Sequence, residues 1–340
     1  MVVGILLTYA FSYVHPLGSQ VATVTVNTTT ATPGDAVAVA DKLGPSVGTI
    51  IASLSGSKTG LGTGFVFAKD AAASYLVTNN HVTTGALTLH VAMESGHNYT
   101  ATLIGADAED DLAVVSVPDS SLPVATFGQS STLKAGQEVI AIGSPLGNAG
   151  SITRGVISAL HRTIDASGEG ASSSETLQDV LQTDASIDPG NSGGPLADGN
   201  GNVVGINVAF AGSTSKIGYS IPSDLARGVA TTLLAKQKVQ HPFLGVAYLT
   251  AIEAIEAGQG FDGAGVLVSD VTANTPAASA GFKKGDILVA VDGVSIDNGE
   301  TLGGLIQPKK VGEQVTFTVK RSGSTTTLTA TLVERPAPAP

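Results

Sequence analysis

From Val47 to about Ile221 the chain is a series of short apolar runs cut by turn residues: VGTIIASL, GFVFA, YLVTN, LTLHVAM, YTATLIGA, LAVVSV, EVIAIGS, ITRGVISAL and VVGINVAF. Val, Ile and Thr dominate, and many runs alternate apolar and polar positions with period two. A half-buried strand shows that period because successive side chains point to opposite faces. Many such runs in close succession predict an all-β sandwich or barrel. Helices are few. Ala36–Leu43 reads as a short one, stopped by Gly44-Pro45. Residues 222–240 have apolar positions at helical spacing and close the unit. His241-Pro242 then breaks the chain. Residues 243–334 form a second unit with its own strands (GVLVSDV, DILVAVDG, QVTFTVKR, TTLTATLV) and a helix over 300–307. The RPAPAP tail, 335–340, is extended.

The first residues break this pattern. Residues 1–34 carry no charged side chain, and Met1 to Leu17 is mostly apolar. That run is shorter than the ~20 apolar residues of a membrane span. It also lacks the Lys/Arg-rich start of a signal peptide. We expect a membrane-anchor or signal-like segment over 1–20 and a Thr-rich linker over 21–35.

Composition narrows the function classes. The 340 residues carry a formal net charge of −11 and no cysteine. Disulfides, Cys-ligated zinc and a Cys nucleophile are therefore excluded. Without a basic footprint, no nucleic-acid partner is expected. The length suggests two domains at ~150 residues each.

Candidate chemistry centres on DPGNSGGPL, residues 188–196, where one serine stands among three glycines and between two prolines. A serine hydroxyl is a weak nucleophile and needs a base, itself oriented by a third group. Of the six histidines, His81 is the one at the end of a strand-like run, YLVTNN. Asp111 immediately precedes the apolar run LAVVSV, whereas Asp107, Glu109 and Asp110 read as a solvated turn. The order His81, Asp111, Ser192 is that of the chymotrypsin-type triad on a β-barrel scaffold. A GNSGG turn can direct the N–H groups of Gly190 and Ser192, with Asn191 between them, into one oxyanion-binding concavity. The Gly-rich stretch 60–64, GLGTG, leads into a strand and so does not fit a dinucleotide loop, which opens a helix.

The chain resembles the HtrA/Deg family of serine proteases, in a bacterial, actinobacterial-like form with one C-terminal PDZ domain. The resemblance is carried by GTGFVF (62–67), YLVTNNHV (75–82), DLAVV (111–115), IGSPLGN (142–148), TRGVISAL (153–160), LQTDASIDPGNSGGPL (181–196), VVGIN (203–207) and IGYSIPS (217–223). In the second unit it is carried by FLGV (243–246), TPAASAGFKKGDILVAVDG (275–293) and VTFTVKR (315–321). It implies a mostly β fold: a chymotrypsin-like double six-stranded β-barrel over 36–240, followed by an α+β PDZ domain over 241–334.

Carried over residue by residue, the resemblance makes Ser192 the nucleophile and His81 the general base, with Asp111 orienting it. It makes Arg162, in a loop spanning 161–176, the sensor that relays PDZ or substrate occupancy. It also makes Phe243, Leu244, Gly245 and Val246 the carboxylate-binding loop of the PDZ domain. Ser186 precedes the serine by six residues and is not acidic, so with Ile187, Ile206, Asn207 and Val208 we expect an apolar pocket for small aliphatic side chains. The implied partners are unfolded proteins, C-terminal peptides and further copies in a trimer. No metal or cofactor is expected. The implied location is extracytoplasmic, in the periplasm or cell envelope. Two functions follow: an ATP-independent endopeptidase of envelope quality control, or a peptide-binding chaperone or adaptor whose protease domain rests inactive.

Overall fold

A computed structural model of the chain describes residues 36–57, 59–143, 151–165, 176–209, 217–261, 263–296 and 301–336. The expected anchor and linker, 1–35, lie outside the described residues, as does most of IGSPLGN. No described helix is long and apolar enough to cross a membrane.

After the helix α1 (Ala36–Leu43) come two closed antiparallel barrels of six strands each. The first comprises β1 (Val47–Ser53), β2 (Thr59–Lys69), β3 (Ser74–Thr78), β4 (Thr88–Met93), β5 (Asn98–Asp107) and β6 (Leu112–Val117). Its strands neighbour one another in the order β1-β2-β3-β6-β5-β4. A one-turn helix, α2 (Asn80–Thr83), follows β3. The second barrel comprises β7 (Glu138–Gly143), β8 (Ser151–Asp165), β9 (Thr176–Thr183), β10 (Pro195–Ala197), β11 (Val203–Val208) and β12 (Gly218–Pro222), ordered β10-β11-β12-β9-β8-β7. This is the double barrel that the resemblance implies.

The pattern of burial explains the runs that are apolar throughout. Phe65 and Phe67 of β2, with Leu112 and Val114 of β6, join a core shared by both barrels. Val66 and Val115, on the opposite faces, fill the interior of the first barrel. A strand buried on both faces needs apolar residues at every position. Phe127 packs edge-on against Phe65 and Phe67, with ring centroids 5.7 and 6.4 Å away. Each fully buried side chain of this size contributes roughly 1.5–3 kcal/mol. The helix α3 (Ser223–Leu234) lays Ala226, Val229, Ala230 and Leu233 on the same core. It is shorter than the expected 222–240, because Lys236 takes a left-handed φ of 55° just past its end.

The second unit has a separate core, in which Phe282 meets Phe317 edge-on at 5.3 Å. Its elements are β13 (Pro242–Phe243), β14 (Val246–Leu249), α4 (Ala251–Glu256), β15 (Val266–Val271), α5 (Pro276–Ala280), β16 (Ile287–Val291), β17 (Val294–Ser295), α6 (Leu302–Ile306), β18 (Gln314–Arg321), β19 (Ser324–Thr331) and β20 (Val333–Glu334). The main sheet runs β14-β15-β16-β18-β19, which leaves β14 at an edge. Helix α6 packs toward β9 of the second barrel: a Cβ on Gly303 would stand 2.7 Å from the Gln178 Oε1.

Candidate active site

His81 lies on α2, so the strand end anticipated for it is in fact a strand followed at once by a single helical turn. Asp111 occupies the step between β5 and β6 and is 1% exposed. Its φ of 49° is left-handed, a conformation that Asp tolerates better than most residues. Three contacts hold it there. Its carbonyl accepts from Asn79 Nδ2 at 2.9 Å, its Oδ1 accepts from the His81 backbone N–H at 2.9 Å, and its Oδ2 meets His81 Nδ1 at 2.7 Å. The ionised carboxylate has only acceptors to offer, so Nδ1 carries the proton and Nε2 of the neutral ring keeps its lone pair.

Ser192 sits in two consecutive tight turns. Asn191 N–H donates to Asp188 O and Gly194 N–H to Asn191 O, each at 2.9 Å. Gly190 and Gly193 occupy the third positions of these turns with φ of 106° and 83°. With Pro189 before Gly190, the first has the signature of a type II turn. A Cβ on Gly193 would collide with the Thr63 carbonyl and the Thr78 hydroxyl and lie 3.0 Å from the Asn79 nitrogen. The serine turn is thus pressed against the strand that ends three residues before His81. Ser192 Oγ accepts from the Ala209 N–H at 3.0 Å.

Other anticipated residues fare differently. Ile206 and Val208 are buried in the core shared by the barrels. Asn207 is fully buried; its Nδ2 donates to Pro195 O at 3.1 Å and its Oδ1 accepts from Ser220 Oγ at 2.9 Å. These are the residues, with Ile187, from which an apolar pocket is expected. Ile206, Asn207 and Val208 are buried and Ile187 is partly exposed; the Asn207 backbone also bonds Gly193 N–H and Gly194 O at the end of the serine turn. Arg162 is not in a loop. It is exposed on β8, paired with Val180 of β9, because three register shifts let β8 continue to Asp165. In the second unit Gly245 has a φ of 91° and abuts the Thr275 side chain, and Leu244 is buried.

The acidic turn before Asp111 is not solvated. Asp107 and Asp110 are 9% and 6% exposed, because the second unit covers them. His241 Nε2 meets Asp107 Oδ1 at 2.9 Å, Gln307 Nε2 donates to Asp110 Oδ1 at 2.8 Å, and Arg335 pairs with Glu109 at 2.7 Å. Burial, reinforced by the Asp107 charge, pushes the Asp110 carboxyl up to about 7. Burial pulls His241 down, but the hydrogen bond to Asp107 and the surrounding carboxylates outweigh it and leave it raised. Nothing local in the sequence marks this contact, since its halves lie more than a hundred residues apart.

The family model of the trypsin-like peptidase domain matches residues 62–206, and that of the PDZ domain residues 233–332. Fold and site together define a trypsin-like serine peptidase domain joined to one PDZ domain. The "Serine protease Do-like HtrB" of Bacillus subtilis (strain 168) is 41% identical over 288 residues, 80% of this chain and 62% of that protein. A "Probable periplasmic serine endoprotease DegP-like" of Marinomonas sp. (strain MWYL1) is 36% identical over 285 residues, 83% of this chain and 58% of that one. The chain thus spans about three-fifths of the length of these curated relatives. The solved structure "HtrA-type protease AlgW with tripeptide" superposes with a TM-score of 0.70 at 32% identity, covering 89% of this chain and 98% of that one. The chain belongs to the HtrA family of serine proteases.

Proposed function

We propose that this protein is a serine endopeptidase of extracytoplasmic protein quality control that cleaves unfolded proteins. The observation that carries the reading is the buried Asp111 carboxylate, bonded to both His81 N–H and His81 Nδ1, beside the turn that bears Ser192. His81 Nε2 takes the Ser192 proton as Oγ attacks the scissile carbonyl, and returns it to the leaving amine. Asp111 keeps the ring in the required tautomer and stabilises the imidazolium. The N–H groups of Gly190 and Ser192 are the donors for the developing oxyanion, while the Asn191 N–H between them closes the turn on Asp188 O; the glycine φ of 106° in that type II turn supports a hole set at rest.

The PDZ domain binds C-terminal peptides. Its loop Phe243–Val246 receives the terminal carboxylate, and the edge strand β14 accepts the peptide as an added strand. Peptide occupancy regulates cleavage, with Arg162 as the relay. One residue away, His161 meets Asp179 at 2.5 Å, where α6 approaches. The protein works as a trimer in the periplasm or cell envelope, held to the membrane by residues 1–20. The second reading, a chaperone or adaptor with a resting protease domain, draws on the Ala209 N–H bound to Ser192 Oγ. Casein cleavage decides between them: the wild type degrades casein and Ser192→Ala does not, whereas equal casein loss with both proteins rejects the protease reading.

A further inference from the structure

The second barrel carries Ser192, yet much of what holds the serine turn comes from the first. Thr63 of β2 is fully buried. Its N–H donates to Ser192 O at 2.8 Å, and its Oγ1 donates to Gly190 O at 2.6 Å. Its own carbonyl accepts from Thr78 Oγ1 at 2.6 Å. These contacts grip the carbonyls on either side of Asn191, so the peptides 190–191 and 192–193 are fixed. The 191–192 peptide, which supplies the Ser192 N–H, lies between them.

We propose that Thr63 is a positioning residue that sets the oxyanion turn from across the barrel junction. The inference rests on the protease reading above. First, Gly190 and Gly193 both have positive φ, and glycine holds such angles with no steric lock of its own, so the turn needs an outside partner to stay in one shape. Second, Gly190 is buried, so a carbonyl that loses its donor pays the full desolvation penalty and favours other turn geometries. Third, threonine is stiff at χ1. Its methyl faces Gly194, where an added Cβ would be 3.1 Å from Thr63 Cγ2, and this contact aims the hydroxyl. Serine keeps the donor but loses that restraint, and valine keeps the shape but loses the donor. The expected order of activity is therefore Thr, then Ser, then Val.

Thr63 touches no substrate, so its effect falls on turnover. Removal of a whole oxyanion donor costs about 10²–10³ in kcat. Displacement of one by Thr63→Val is expected to lower kcat about tenfold or more, with KM within about threefold. Affinity for a peptide boronic acid, which places a tetrahedral oxygen in the hole, should fall in parallel with kcat. Thr63→Ser should recover most of both. The experiment measures kcat, KM and boronate affinity for the full chain and these variants, with Ser192→Ala as the inactive control and thermal unfolding as the fold check. If Thr63→Val does not fold, Thr63→Ala, which leaves no methyl against the Gly190 carbonyl, is assayed in its place. Wild-type kcat and boronate affinity in a folded hydroxyl-free variant overturn the proposal. So does a loss confined to KM, or a Thr63→Ser variant no better than valine or alanine. A wild type that neither cleaves nor binds boronate overturns the protease reading instead, and is distinguishable because it does not involve Thr63.

Discussion

His81 meets the Asp111 carboxylate through both its backbone N–H, at 2.9 Å, and its ring Nδ1, at 2.7 Å. One buried group therefore fixes the helical turn that carries the base and the tautomer of the base itself. Asp111→Asn preserves the size of the side chain but presents an amide where a carboxylate is needed. The ring is then driven toward the wrong tautomer, and kcat should fall by about 10⁴ with folding intact. Steady-state kinetics beside a thermal melt checks this; a loss of less than tenfold contradicts the role given to Asp111.

The glycines of the chain make a contrast that stability measurements can read. Gly193→Ala forces a Cβ onto a residue at φ 83° and into the Thr63 carbonyl. It should cost about 3 kcal/mol or more, and abolish turnover, by strain and displacement of the turn. Gly228 lies in α3 with open space around it. Gly228→Ala should stabilise by roughly 0.5–1 kcal/mol and leave activity unchanged. Denaturant melts of both variants give the comparison.

The contact between the PDZ unit and the Asp111 turn should depend on pH. Asp110 is raised from 3.8 to about 7, chiefly by burial. His241 is raised above 6.5 because the hydrogen bond to Asp107 and the neighbouring carboxylates outweigh burial. Both groups bind a proton more tightly in the folded protein than in the unfolded chain. Their contribution is thus fully present below the unfolded values and is lost as pH rises, through about 7 for Asp110. The PDZ unit should hold the turn most firmly in acid and loosen progressively as the pH rises to about neutrality. Proteolytic nicking of residues 235–241, followed between pH 5 and 8, should increase with pH, and Asp110→Asn should flatten the change. A wild-type profile already flat contradicts the assignment.

Gly245 has a φ of 91° against the Thr275 side chain, at the entrance to the edge strand β14. A peptide with a free C-terminal carboxylate should bind there. Amidation of its terminus, or Gly245→Ala in the protein, should weaken binding about tenfold or more, because the loop's backbone donors lose their partner or their placement. Isothermal titration on the full chain measures both, and equal affinity for the amidated peptide removes the carboxylate from the account.

The strand runs, the second unit and the order His81, Asp111, Ser192 were all legible in the sequence. Period-two alternation and a glycine-flanked serine are local signals that survive without tertiary context. The acidic residues Asp107 and Asp110 looked solvated because charges in a turn usually face water. Their cover, His241 and Gln307, comes from another domain, and no local window reveals it. Arg162 looked like a loop residue because a Gly/Ser-rich stretch follows it, yet β8 absorbs three register shifts and reaches Asp165 before that stretch begins. Ile206 and Val208 lie in the core shared by the barrels, a role that their apolar letters alone do not separate from pocket lining. Thr63 lies in a glycine-rich run that the sequence shows only to lead into a strand; its two bonds to the serine loop exist only once the barrels have packed.

The central claim is that Ser192 is made nucleophilic by His81 and Asp111, and intact-protein mass spectrometry after treatment with a fluorophosphonate tests it most directly. The account predicts one adduct on the wild type, mapped to Ser192, absent from Ser192→Ala and strongly slowed in His81→Ala and Asp111→Asn. Labelling of Ser192 at the same rate in His81→Ala, or no adduct on the wild type in the presence or absence of a PDZ-binding peptide, would contradict it.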